Sequence, residues 1–314
     1  MNPTHLLLYN KINKNKDYFL SLNTEGRFFM KNSKKNKEKW LEKVKYTLEL
    51  GGKSSKTFLN YKSHIIRFLN YFADDIEINK LSEDQIADYF IKKYIQKERC
   101  ASTLNVGIAS VRFFYSVCFN RKLNKDVLPS SKITKKMPTI ISKQLFLKLV
   151  NEEHCLKYQC WLLLAFCCGL RAEEVATLRI ENIFPEEHKL KVLGKRKKER
   201  YTILPDIVTK YLRMYCKEQR ITKKQGFLFS SYDHKSPINS KSIINYFTTI
   251  KKAYELEDNI SFHSLRHSFA SYYLMNGGNI ITLKNMLGHA HLNTTNIYLH
   301  IALNFNELEG IKYV

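Results

Sequence analysis

The stretch from His263 to Tyr298 constrains this chain more than any other. It reads H-S-L-R-H-S-F-A-S-Y-Y-L-M-N-G-G, then an amphipathic run, then L-G-H, then N-T-T-N-I-Y-L-H. Its apolar residues recur at helical spacing and predict helices over 263–276, 280–287 and 293–299, with another at 303–309. Packing those helices brings His263, Arg266, His289 and Tyr298 into one pocket. Two imidazoles, one guanidinium and one phenol would meet there among apolar neighbours.

The rest of the chain divides around that stretch. Residues 1–35 are polar and irregular and run into K-N-S-K-K-N-K-E-K, which reads as a basic N-terminal extension. Residues 36–122 show helical periodicity and no strand pattern. Trp40, Leu41, Val44 and Leu48 mark a first helix. Ser54 or Ser55 caps a second, which places Phe58, Tyr61, Ile65, Phe68, Leu69 and Phe72 on one face. Ser82 with Gln85 forms a capping box that opens a third helix through Ile95, and Ser102 opens a fourth. Four helices make a compact α-helical domain whose aromatic faces read as core. Lys53, Lys56, Lys62, Arg67 and Arg112 are its candidates for reaching phosphates.

Residues 123–139, with Pro129, Pro138 and several lysines, read as a linker. The second domain, 140–314, opens with a helix at 142–153. An apolar helix at 156–170 follows and stops at Gly169-Leu170, directly before Arg171. Strands are expected at 179–184, 189–193 and 200–204, with 194–198 turning between the last two. Helices at 206–220 and 240–253 lead into the opening stretch. Strands are too few for a parallel α/β fold. The expected class is mainly α, with a small antiparallel sheet on one side of the second domain.

Lys and Arg total 52 against 29 Asp and Glu, a net charge of +23. That implies a polyanionic partner, nucleic acid before an anionic membrane surface. Abundant Lys, Asn, Ile and Tyr also follow from an AT-biased genome, so charge alone does not decide. The longest apolar run, 161–170, is too short to span a bilayer. The leucines at 6–8 lack a charged start and a cleavage site, so no signal peptide is expected. The seven cysteines show neither a CxxC pair nor disulfide spacing, which fits a reducing, cytoplasmic setting.

Attack of an oxygen on a phosphodiester puts extra negative charge on its two non-bridging oxygens, and either metals or fixed donors must hold it. The sequence has no acidic cluster at metal spacing. Arg171 and Arg266 supply planar forks that match two phosphate oxygens, and His263 and His289 can donate further hydrogen bonds or pass a proton. A tyrosine phenol, with a pKa of roughly 10, is a poor nucleophile unless cations surround it and a base takes its proton. Tyr298 has two arginines and two histidines to provide that field. Lys195, at the tip of a β-turn, could protonate the departing hydroxyl. The aryl phosphate so formed keeps the bond energy, so rejoining needs no ATP and no cofactor is implied.

These residues resemble the tyrosine recombinase, or phage-integrase, family. G-L-R-A-E-E-V-A-T-L at 169–178 is similar to its first arginine box, and V-L-G-K-R-K-K-E-R at 192–200 to its hairpin lysine segment. H-S-L-R-H at 263–267, L-G-H at 287–289 and the Tyr298 segment are similar to its second box. The order fits, and so do the intervals: 95 residues from Arg171 to Arg266, 26 from His263 to His289 and 9 from His289 to Tyr298. Residues 40–120 are similar to its core-binding domain, with 54–69 resembling a DNA-facing helix. The resemblance implies a two-domain, C-shaped clamp around duplex DNA. It implies Arg171, Lys195, His263, Arg266, His289 and Tyr298 as the catalytic set, with Glu174 bracing it. It also implies strand exchange through a 3′-phosphotyrosyl link and a Holliday junction. The partners implied are duplex DNA with a specific core site and a homotetramer, or a heterotetramer with a related recombinase, on two such sites. Residues 300–314 are expected to hold a short helix that docks on a neighbour. The absence of a compact arm-type domain before residue 40 points to simple core sites. In so basic a hairpin, Lys197 or Lys198 could take the place of Lys195.

Other readings stand beside this one. Arg171 could cap a helix C-terminus, and Tyr298 could be core packing. His263 and His267, four apart on a helix, could bind zinc with His289 or His291, which would leave Arg266 idle. A type IB topoisomerase-like relaxing enzyme shares the tyrosine chemistry, and a catalytically silent DNA-binding protein would keep the clamp.

Overall fold

The computed structural model describes residues 32–132, 137–194, 199–231 and 236–309. Most of the expected basic extension, part of the expected linker and most of the expected hairpin turn therefore lie outside the described residues. The chain divides into two compact units, Met1–Lys135 and Lys136–Val314.

The first unit is helical throughout its described residues. Ser33 caps α1 (Lys34–Leu50) by accepting from the backbone N–H of Asn36, and Trp40, Val44 and Leu48 form its buried stripe. Ser54 does the same for α2 (Ser55–Leu69), which buries Ile65, Phe68 and Leu69. The Ser82–Gln85 capping box opens α3 (Glu83–Phe90), and a π-turn, Ile91–Ile95, carries it on. α4 (Ala101–Phe119) starts one residue before the expected Ser102, with Cys100 at the capping position, and ends on a left-handed Asn120. The aromatic faces are core: Trp40, Phe68, Tyr89, Tyr94, Phe114 and Tyr115 are all buried in one cluster. Edge-to-face contacts such as Trp40–Phe114, 5.7 Å between centroids, order it.

The expected linker is partly domain. Leu123 and Leu128 are buried in the same core. Asn105 and Ser131 exchange hydrogen bonds of 2.9 and 2.8 Å. The Arg112 guanidinium donates to the Leu128 carbonyl, so Arg112 ties this strap down and is not a free phosphate-reaching cation. The apolar Leu123 and Leu128 have a face to cover, and burying them outweighs the loop-like composition around them.

In the second unit, α5 (Lys143–Asn151) leads to α6 (Leu156–Cys168), which lies at the centre with Cys160 to Ala165 buried. α7 (Ala172–Ala176) follows at once. The antiparallel sheet has the order β1 (Ile183–Phe184), β2 (Lys189–Leu193), β3 (Glu199–Ile203). The first strand is shorter than expected, because Ile180–Asn182 form a 3₁₀ turn and only two residues pair. Then come α8 (Asp206–Glu218), α9 (Ser240–Ala253), α10 (Phe262–Met275), α11 (Ile280–Leu287) and α12 (Asn293–Glu309). α12 is one helix where two were expected: Ile301 and Ala302 are buried and carry it through the anticipated gap. All seven cysteines are free. No helix among the described residues is long and apolar enough to cross a membrane.

Candidate active site

Two chain reversals, at Gly169 and Gly288, build the pocket. Gly169 ends α6 in the left-handed region, φ +69°, and turns the chain so that Arg171 stands at the start of α7. A Cβ on Gly169 would lie 2.4 Å from Cδ1 of Phe269 on α10. Gly169→Ala is therefore expected to lower the stability of the second unit by about 2–4 kcal/mol, from left-handed strain plus overpacking. A denaturant melt reads this directly, and an unchanged midpoint would contradict the close contact.

Glu174, one turn into α7, is the hub. Its carboxylate is 7% exposed. It accepts from the Arg171 backbone N–H at 2.8 Å and from Arg171 Nη1 at 2.9 Å. Arg200 on β3 clamps it with both η-nitrogens, at 2.8 and 2.7 Å, and Arg266 Nη1 stands 3.5 Å away. Burial alone would raise its pKa, but the Arg200 hydrogen bonds and charge, and then Arg266, hold it below the usual carboxylate value.

The C-terminus of α11 is the second hub. The Leu287 carbonyl accepts from Arg266 Nη2 at 2.6 Å and from Arg171 Nη1 at 3.4 Å, and the Met286 carbonyl accepts from Arg200 Nε at 2.6 Å. Unpaired carbonyls at a helix end carry partial negative charge, and here three guanidiniums gather on them. Gly288 lets the chain turn at φ +67°, and a Cβ there would meet Arg200 Cδ at 3.0 Å.

Arg266 is 1% exposed and also donates from Nη1 to the Gly169 carbonyl at 2.5 Å. Burial, then Arg171, push its pKa down to about 9, which leaves it charged at neutral pH. Its Nε is buried without a hydrogen-bond partner. Arg171, with a side chain 38% exposed, opens toward solvent.

The aromatic half of the pocket lies on α10 and α12. Tyr298 is 3% exposed. Its hydroxyl meets Nδ1 of His267 at 2.8 Å. His263 packs edge-on against His267, 4.6 Å between centroids. The His289 ring lies nearly parallel to Tyr298 at 6.3 Å, and its Nδ1 pairs with the buried Thr295 hydroxyl at 3.0 Å.

Five of the six expected catalytic residues, Arg171, His263, Arg266, His289 and Tyr298, thus belong to one connected pocket. Lys195, with Lys197 and Lys198, lies outside the described residues. The expected cationic field comes from the arginines and not from the histidines. Burial first, then neighbouring charges led by Arg266, holds the His289 pKa down to about 4, and His263 is lowered for the same reasons. Both are neutral at physiological pH. Burial raises the Tyr298 phenol more than Arg266 and Arg171 lower it, so it stays protonated at rest. Among the described residues, no three His, Cys, Asp or Glu side chains could share a metal ion, which removes the zinc reading from them.

Two participants escaped the sequence. Arg200 ends the segment 192–200, whose resemblance to the hairpin lysine segment drew attention to its lysines. Its signal is register: it alternates in phase with buried Thr202. His267 was visible only as a possible metal ligand.

Comparison with known proteins places the same segments. A model described as "Phage integrase family" matches residues 142–304, and one described as "Phage integrase, N-terminal SAM-like domain" matches 40–125. The tyrosine recombinase XerC of Thermodesulfovibrio yellowstonii is 29% identical over 268 residues, covering 80% of this chain and 88% of that protein. Among solved structures, XerH site-specific recombinase bound to a palindromic difH substrate superposes with a TM-score of 0.67 at 19% identity, covering 81% and 79% of the two chains. A lambda integrase dimer bound to a COC′ core site gives 0.66 at 18% identity, covering 94% and 87%.

Proposed function

Because the chain belongs to the phage integrase family, the tyrosine recombinases, we propose that its strand exchange on duplex DNA runs through Tyr298. The scissile phosphate enters where Arg171 is open, and its non-bridging oxygens take hydrogen bonds from Arg171 and Arg266. His289 and His263, both neutral, supply further donors at the rim. The Tyr298 oxygen attacks phosphorus, giving a 3′-phosphotyrosyl link and a free 5′-hydroxyl. That hydroxyl then attacks the matching link on a partner strand, and two such rounds pass through a Holliday junction. Lys195 protonates the leaving 5′-oxygen. The working assembly is a tetramer on two DNA sites.

The observation that carries this reading is the orphan donor. Arg266 Nε is a charged, buried N–H with no partner, in the pocket that holds Tyr298. A buried donor left unpaired costs about 1–3 kcal/mol or more, which an arriving phosphate oxygen recovers.

The test uses nicked suicide duplexes cut from DNA adjoining the gene. A denaturant-resistant protein–DNA adduct is expected, with the nucleotide on the peptide that contains Tyr298. Binding without an adduct would make the protein a silent binder. Relaxation of plasmids lacking any such site would make it a topoisomerase-like enzyme.

A further inference from the structure

We propose that Arg200 is a positioning residue: by gripping Glu174 with both η-nitrogens and the end of α11 with Nε, it holds Arg171 and Arg266 where a phosphate can meet both. This rests on the reading of Tyr298 as the nucleophile and of those two arginines as its phosphate donors.

Local structure aims Arg200 inward. It pairs with Val192 in the β2–β3 ladder, and its side chain leaves the sheet on the same face as buried Thr202, two residues on. The Thr202 hydroxyl donates to the Cys168 carbonyl at 2.8 Å, which pins β3 against the end of α6. The Arg200 guanidinium then meets Oε1 and Oε2 of Glu174 at 2.8 and 2.7 Å and the Met286 carbonyl at 2.6 Å. A two-pronged pair of this kind fixes the plane of the carboxylate as well as its charge.

The three arginines divide the work. Arg200 spends Nε, Nη1 and Nη2 on protein acceptors, and its side chain is nearly buried. Among the described residues, Arg171 commits only Nη1 and opens toward solvent, while Arg266 keeps Nε unpaired. Those two hold donors in reserve. Because Arg200 claims both oxygens of Glu174, Arg266 stands 3.5 Å from the acid and does not close a fork of its own on it. Arg200 also keeps the acid ionised. Its hydrogen bonds and charge are the largest influences opposing burial at Glu174. Without them, burial is opposed mainly by Arg266 and by the Arg171 backbone N–H, so the Glu174 pKa rises.

Two substitutions and a double variant test this. Arg200→Met keeps a long stem and removes the fork. Arg200→Lys keeps the charge and supplies a single point of contact. Both are expected to slow single-turnover adduct formation by about 10²-fold, with DNA binding by gel shift unchanged. The parent rate should carry no limb from Glu174 between about pH 7 and pH 5, where the acid is already ionised. The Arg200→Met rate should fall further across that range, as Glu174 with its raised pKa takes up a proton. Combining Arg200→Met with Glu174→Gln should be about as slow as the slower single variant, because the two residues act as one unit. Adduct formation at the parent rate in either Arg200 variant would overturn the proposal. So would losses that multiply in the double variant with an unchanged pH profile, which mark a general loosening of the fold. Should Arg200→Met melt below the assay temperature, Arg200→Lys carries the same comparisons. A parent protein that forms no adduct at Tyr298 would sink the nucleophile reading, a separate outcome, and this proposal with it.

Discussion

Tyr298→Phe is expected to abolish the covalent adduct, by roughly 10⁴-fold or more, while leaving DNA binding intact. The change removes one oxygen from a ring that is otherwise core. The phenyl group still packs among Phe269, Ala270, Leu283, Leu287 and Ile301. Only the hydrogen bond to His267 is lost. A typical net hydrogen bond contributes about 0.5–1.5 kcal/mol, so the melting temperature should move by a few degrees at most. The measurement pairs a denaturing gel, for adduct, with a native gel shift, for binding. Parallel loss of both would mean that the hydroxyl holds the fold and is not the nucleophile. Adduct that persists would move the chemistry to another side chain.

Much of the fold was readable because local signals and packing agree. α11 runs over 280–287 as expected: Asn279 caps it by accepting from Ile281 and Thr282, and left-handed Gly288 ends it. α9, at 240–253, begins with a capping Asn239 in the same way. Where only periodicity was available, boundaries drifted. No Gly or Pro interrupts 293–309, so nothing local could end α12 at 299, and buried Ile301 and Ala302 decide the matter. The run 179–184 alternates like a strand, but only Ile183 and Phe184 have partners on β2, and 180–182 tighten into a 3₁₀ turn.

The site divides along the same line. Arg171, Arg266, His289 and Tyr298 stand at motif intervals, so their meeting could be anticipated from sequence. The contacts that assign work to them could not. Arg200 reaches Glu174 across 26 residues, and His267 reaches Tyr298 across 31, each through the packing of separate elements. The protonation states depend on that packing too: burial and the neighbouring arginines hold His263 and His289 neutral.

Glu174→Ala is expected to cost the second unit about 3–5 kcal/mol, because one carboxylate holds together charges that cannot stay together without it. Three guanidiniums converge on this acid, from Arg171, Arg200 and Arg266. The side chains of Arg200 and Arg266 are only 8% and 1% exposed, so water screens them poorly. The Leu287, Met286 and Gly169 carbonyls remain as partners in the variant, but they carry partial charge only. Since the folded-state pKa of Glu174 is depressed, its contribution is fully present above the carboxylate's ordinary value near 4.5 and is lost as pH falls through the lowered one. Glu174→Gln should therefore melt lower at pH 7 and lose part of the acid-side dependence. With the arginines freed to splay, adduct formation should fall at least as far as when one preorganised donor is removed, about 10²–10³-fold. An anion can stand in for part of the missing charge, so sulfate should raise the melting temperature of the variant more than that of the parent. A variant that melts like the parent and gains nothing from sulfate would show that the helix-end carbonyls alone hold the arginine cluster.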